Sequence, residues 1–410
     1  MRPKEVTMTP GTATAPDKAP IRPFRVEVPD AELTELRRRI TAARLPEKET
    51  VGDFSQGVPL ATVQKLAKYW ATEYDWRKVE ARLNAVPNFI TEIDGLDIHF
   101  IHVRSKHENA LPLIVSHGWP GSIVEQLKLI EPLTNPTAHG GTANDAFHVV
   151  IPSMPGYGFS GKPTSTGWGP EHIARAWDVL MKRLGYTNYV AQGGDWGAVI
   201  VELMGAQAPQ GLLGVHTNMP NVVPPNIDVA AFTGAPVPDG LSGEEKHAYE
   251  QLTSFYKDVY YAFFMGTRPQ TLTALADSPI GLATFMIDHD RRSLELIARS
   301  FDGVAEGLTR DDVLDNITLF WLTNTAVSAA RLYWEKPASL PFFTPKGVKI
   351  PVSASAFPDE LYQAPRSWAE QAYPNLIHYN KLPKGGHFAA WEQPKYLSDE
   401  MRTGFRSLRK

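Results

Sequence analysis

Cysteine is missing from all 410 residues of the chain. Disulfides, thiol nucleophiles and cysteine-ligated metals are thereby excluded. Nowhere do about 18 apolar residues run together, so no membrane-spanning helix is expected. The first twenty residues, MRPKEVTMTPGTATAPDKAP, lack the apolar stretch of a signal peptide and read as a loose tail. There is no basic block and the formal net charge is −4, which argues against nucleic acid as a partner. No H-E-x-x-H, no Walker loop and no G-x-G-x-x-G opening a nucleotide-binding unit occurs, so neither a metal nor an organic cofactor is expected. A cysteine-free chain of this kind fits the cytoplasm, the compartment expected here.

What is present is the composition of a soluble globular protein, 43% apolar and 21% charged. From about Phe24 to Glu47 the chain reads as a strand-like entry followed by a helix. Asp30 stands at the N-cap, and Leu33, Leu36 and Ile40 share one face. A second helix is expected from Leu60 to Tyr74, with Val63, Leu66 and Trp70 at helical spacing. From Phe89 the pattern alternates and breaks at Asp94-Gly95, the signature of a β-hairpin. Apolar strands follow in LPLIVSHG, HVVIPSMPG, NYVAQGGD, LLGVHTNM, VKIPVSASAF and NLIHYNKL, mostly separated by helical stretches such as Glu171 to Leu184. Strands alternating with helices imply an α/β fold with a mostly parallel sheet covered on both faces. The alternation stops between about Met219 and Phe343, a helix-rich stretch placed where a lid over the strand ends would be inserted. The expected division is a flexible N-terminus (1–23), an N-terminal region (24–88), a core (89–218 and 344–410) and a helical lid (219–343).

Gly193-Gly194-Asp195-Trp196-Gly197 follows a strand and leads into a helix. This is the nucleophile-elbow pattern of the α/β-hydrolase fold, with aspartate where serine is usual. An aspartate in a turn standing alone would be as readily a simple Asx-turn. Here it has company. His117-Gly118-Trp119-Pro120-Gly121-Ser122 closes the strand LPLIVS, and a backbone N–H there, with that of Trp196, would form an oxyanion hole. Trp119-Pro120 is a candidate cis peptide, and His117 reads as a brace for the loop. Downstream come an acid, Asp359 or Glu360, between which spacing does not decide, and then His387 in a glycine-rich loop. The order nucleophile, acid, histidine is that of α/β-hydrolases. His99 and His102 read as surface or packing residues.

The segments HGWPGS, GGDWG, TRPQTLTALADSPIGLA, SAFPDEL and GGHFAAWEQP together resemble the microsomal-type epoxide hydrolase family. FRVEVPDAELTELRRRITAARLPE is similar to that family's N-terminal region, so the resemblance runs from about Phe24 onward. Membrane-bound mammalian members carry an N-terminal anchor; this sequence, without one, is similar to the soluble microbial members. The resemblance implies Asp195 as nucleophile, His387 as base and Glu360 as its acid, two residues after the proline of the Phe-Pro-x-acid motif. It also implies that Tyr261 and Tyr333, two of 14 tyrosines, hold the epoxide oxygen from the lid, with the amides of Trp119 and Trp196 as oxyanion donors. The expected partners are a small apolar epoxide and water, and a homodimer through the N-terminal regions is compatible with the sequence.

Chemistry explains the aspartate. A carboxylate is ionised near neutral pH and attacks saturated carbon directly, leaving an ester that activated water can cleave. The rival readings are a haloalkane dehalogenase, which also places Trp after the nucleophilic Asp, and a non-catalytic binding protein on the same scaffold.

Overall fold

The structure, a computed structural model, describes residues 19–409. Most of the stretch expected to be loose, residues 1–18, lies outside that range; its end does not, because Arg22–Phe24 forms strand β1. The other strands are β2 (Asn88–Ile93), β3 (Leu96–Val103), β4 (Leu111–Ser116), β5 (Phe147–Pro152), β6 (Tyr189–Gly193), β7 (Leu212–Thr217), β8 (Val352–Ala356) and β9 (Leu376–Lys381). They form one sheet in the order β1-β2-β3-β5-β4-β6-β7-β8-β9. Pairing is antiparallel from β1 to β3 and between β3 and β5, and parallel across the rest.

Local chemistry accounts for these elements. The β2–β3 hairpin turns at Asp94 (φ 49°) and Gly95 (φ 79°), and two central residues at positive φ match the twist of the flanking strands. In β4 and β5, Leu113, Ile114, Val115, Val149, Val150 and Ile151 are fully buried, as strands covered on both faces must be. The run VKIPVSASAF yields a shorter strand than its apolar length suggests. Pro351 has no N–H to donate, so β8 starts at Val352, while the Pro351 carbonyl still accepts from Val215 at 3.0 Å.

The described helices between β7 and β8 run from Pro225–Phe232 to Ala326–Glu335, and that stretch contains no named strand. The N-terminal helices are Asp30–Thr41, Leu60–Thr72 and Trp76–Asn84. Three details differ from the sequence reading. Pro29, not Asp30, holds the N-cap of the first helix, and Asp30 is an acidic residue of its first turn. The second helix ends at Thr72. The third was not anticipated, although Trp76, Val79 and Leu83 form its buried stripe, and it starts where the Asp75 side chain accepts from the Arg77 amide at 3.0 Å.

These N-terminal helices tie down the inserted helices. Along Arg310–Thr323, Asp311, Asp315 and Thr318 lie on one stripe and accept hydrogen bonds from Tyr69 (2.6 Å), Tyr74 (2.8 Å) and the Trp70 indole (3.0 Å). Trp70 is almost completely buried. Trp70→Ala is expected to cost about 3–5 kcal/mol, through the cavity it leaves, read as a lower denaturant midpoint.

Candidate active site

The strand β6 ends at Gly193 and the helix Trp196–Gln207 begins three residues later. Asp195 sits between them at φ 52° and ψ −128°, a conformation costly for a residue with a side chain. The packing around it explains why glycines flank it. A Cβ on Gly197 would lie 2.0 Å from the Ser116 carbonyl oxygen, and one on Gly193 would lie 2.1 Å from the carbonyl of Gly197. The tight turn lifts the Asp195 carboxyl above the strand ends. There Oδ1 accepts from the Trp119 amide at 2.6 Å. Burial raises the Asp195 pKa; the charges of His387 and His289 and the amides of Trp196 and Trp119 oppose that rise. The Trp119–Pro120 peptide is cis.

His387 lies on the loop after β9, where the Asp359 amide donates to the Gly385 carbonyl at 3.0 Å and anchors the loop to the end of β8. Its Nδ1 is 2.5 Å from Glu360 Oε1, and its Nε2 is 3.7 Å from Asp195 Oδ2. Of the two acids that spacing left open, Glu360 is the one at the imidazole. The Asp359 side chain points to the surface and pairs with Arg292 at 2.7 Å. Burial works against a charged His387, but the adjacent Glu360 carboxylate, with help from Asp195 and Asp290, carries its pKa up to about 10.

Tyr261 and Tyr333 come together from the helices Tyr260–Thr267 and Ala326–Glu335, their ring centroids 6.1 Å apart. Trp119 stacks on Tyr261 at 4.7 Å, and Trp196 meets Tyr333 edge-on at 4.9 Å. Burial and the Asp195 charge push both phenol pKa values well up, so both hold their protons. All seven residues singled out from the sequence thus converge on one buried centre.

Two residues of this centre escaped the sequence reading. His289 is buried, its ring stacked 4.3 Å from that of His387, with Nε2 2.8 Å from the Tyr261 hydroxyl. The only signal was Asp288-His289-Asp290, three polar residues at the end of an apolar helix. Glu125, in the first turn of the helix Ile123–Thr134, has its pKa raised to about 8, chiefly by burial. Donor atoms of Asp195, His289 and His387 fall within 4.8 Å of one another, as a divalent cation would require. Both nitrogens of His289 are already engaged, however, by Tyr261 and Asp290.

The other histidines that the sequence singled out have structural partners. His117 Nε2 accepts from the Met154 amide at 3.2 Å, bracing the loop. His99 is fully buried between Ser153 and Asn88, so it packs and is not a surface residue, while His102 bonds Tyr186.

Comparison with known proteins bears on what this centre serves. Residues 21–126 match the family described as epoxide hydrolase N terminus, and residues 112–246 match the alpha/beta hydrolase fold. Epoxide hydrolase 1 of Oryctolagus cuniculus is 35% identical over 400 residues, covering 93% of this chain and 88% of that protein. The chain belongs to the epoxide hydrolase family. A Stigmatella aurantiaca protein named "Putative epoxide hydrolase" is 50% identical over 398 residues, 95% of this chain and 86% of its own. The structure of Aspergillus niger epoxide hydrolase superposes with a TM-score of 0.81 at 31% identity, covering 96% of this chain and 98% of that one. The epoxide hydrolase seen here is therefore an enzyme of the α/β-hydrolase fold. No helix among the described residues is long and apolar enough to cross a membrane.

The histidine–carboxylate pairing has a consequence for stability. His387 has a folded-state pKa of about 10, above the 6.5 of a free imidazole. Its ion pairing stabilises the fold fully below pH 6.5 and is lost as pH rises through about 10. The Tm advantage over His387→Gln is expected to shrink from neutral pH to pH 10; thermal melts in parallel buffers check this.

Proposed function

We propose that this epoxide hydrolase converts small apolar epoxides to vicinal diols through a covalent ester on Asp195. The observation that carries the proposal is the placement of an ionisable carboxyl on the Trp119 amide, with two protonated phenols and a histidine–carboxylate pair around it.

In the first step Asp195 attacks an epoxide carbon. Its carboxylate supplies the electron pair of the new C–O bond, and the ring C–O bond breaks towards its oxygen. Tyr261 and Tyr333 donate to that oxygen, and one phenol proton neutralises the alkoxide. General-acid help of this type is worth about 10²–10⁴ in rate.

The second step reverses the electrostatics. Esterification removes the Asp195 charge, one of the influences that hold the His387 pKa high. The imidazole can then shed its proton to solvent and act as a base, with Glu360 stabilising the cation that returns. His387 takes a proton from water, the water attacks the ester carbonyl, and the Trp119 and Trp196 amides hold the tetrahedral oxyanion. Collapse breaks the bond to the substrate oxygen, which takes the His387 proton and leaves as the diol. The proton of the new Asp195 acid replaces the one the phenol gave, and His387 regains its own from solvent as the carboxylate is restored. Trp119, Trp196 and Phe285 make the surroundings aromatic, which favours apolar substrates.

Blocking each step separately tests the order. Asp195→Asn is expected to abolish turnover, measured at once on protein of verified intact mass, before the amide can self-hydrolyse. His387→Gln is expected to form the ester and stop there, so intact mass should rise by the mass of the epoxide. Tyr333→Phe should slow ester formation by about 10²-fold or more with the fold unchanged. Absence of an adduct on His387→Gln, despite binding, would contradict the two-step scheme.

A further inference from the structure

His289 occupies a position that the proposed chemistry does not yet use. It lies on the link between the helices Pro279–Ile287 and Arg291–Phe301, and its Nδ1 is 2.9 Å from Asp290 Oδ2. Asp290 is itself fixed, because its other oxygen accepts from the Ser293 amide at 2.9 Å and caps the following helix. On the far side of the ring, Nε2 meets the Tyr261 hydroxyl at 2.8 Å. Asp290, together with Glu360, Arg292 and Gln251, lines a cleft of about 280 Å³. A continuous line of groups, Asp290–His289–Tyr261, therefore leads from that cleft to the pair of phenols.

The hydrogen-bond roles along this line are constrained. An ionised Asp290 only accepts, so Nδ1 of His289 carries a proton. Burial alone would raise the Asp290 pKa, but the bond from His289 and the charges of His289 and His387 bring it down to about 2, so it is ionised. If Nε2 is bare, it accepts the Tyr261 proton, and the phenol has none left for a substrate. If Nε2 is protonated, it donates to the Tyr261 oxygen and the phenol proton turns towards the substrate. The protonation of His289 decides which way Tyr261 points.

We infer that His289, held by Asp290, is a positioning residue that aims the Tyr261 hydroxyl at the epoxide oxygen and returns the proton Tyr261 gives up. The inference rests on the reading of Tyr261 as a donor to that oxygen. The step balances. The epoxide C–O bond breaks with its electron pair on oxygen as the Asp195–carbon bond forms. That oxygen takes the Tyr261 proton, and Tyr261 in turn takes a proton from Nε2 of His289. Nε2 is reprotonated through Tyr261 by the proton that Asp195 releases when its ester is hydrolysed, which restores the overall count. The titratable groups around His289 are Asp288 and Asp290 on its own link, Tyr261 on the neighbouring lid helix, His387 on its loop and Asp195 on the elbow.

The test is a double-mutant cycle on ester formation, followed by rapid quench and intact mass with styrene oxide in single turnover. H289Q is expected to slow ester formation at least 10-fold, with ester hydrolysis changed far less. Tyr261→Phe is expected to slow ester formation as well. Adding H289Q to the Tyr261→Phe variant should then cost nothing further, because a residue acting through a hydroxyl has no effect once the hydroxyl is gone. An equal loss in both backgrounds, or no loss from H289Q at all, overturns the inference and leaves the role of Tyr261 standing. If Tyr261→Phe forms the ester at the unaltered rate, the reading of Tyr261 falls, and the inference with it. Should H289Q fail to fold, D290N takes its place in the same cycle, since it keeps an acceptor for the Ser293 amide.

Discussion

A carboxyl group with a raised pKa, buried yet needed as an anion, is the constraint around which the rest of the site is arranged. Taking the Asp195 charge out of water is expensive, and burial accordingly raises its pKa. The surroundings answer with the Trp119 amide at 2.6 Å and with His387 at 3.7 Å, whose own charge is sustained by Glu360 at 2.5 Å. Each partner in turn imposes a demand on the fold. The amide requires the loop after β4 to close tightly over the elbow, where even a Cβ on Gly118 would lie 2.1 Å from Asp195 Oδ1. The imidazole requires the loop after β9 to be tied to the end of β8. Glu360 must be almost fully buried so that water does not weaken the pair.

The inserted helices supply the opposite wall. They bring two aromatic hydroxyls to a carboxylate that would otherwise face solvent. The N-terminal helices hold the helix Arg310–Thr323 through Tyr69, Trp70 and Tyr74. The helix Ala326–Glu335, which bears Tyr333, follows in the chain after a two-residue turn. The described N-terminal residues thus serve the centre indirectly, by stabilising the wall that carries one of its phenols.

Much of this was legible before any coordinates. The Asp94-Gly95 turn, the strand runs and the order of elbow, acid and histidine all follow from patterns with a direct physical meaning. What could not be read depended on side-chain direction in three dimensions. Asp359 and Glu360 are neighbours in sequence, yet one faces Arg292 at the surface and the other the buried imidazole. Tyr260 and Tyr261 are adjacent on one helix, and the turn of about 100° per residue leaves the first 74% exposed and the second buried. Tyr261 and Tyr333 could be singled out only by family resemblance. His289 was invisible because its partners, Tyr261 and His387, are 28 and 98 residues away in the chain. The short helix Trp76–Asn84 carries Trp76, Val79 and Leu83 on its buried face, but at nine residues it is too short for that spacing to stand out from its charged surroundings.

The proposed reaction differs from direct attack of water on the epoxide in where the solvent oxygen first arrives. A single turnover in ¹⁸O-water, with enzyme in excess, separates the two. Attack by Asp195 predicts an unlabelled first-turnover diol, with the label in the peptide that contains Asp195. Labelled diol from an enzyme whose Asp195 peptide remains unlabelled would contradict the covalent route.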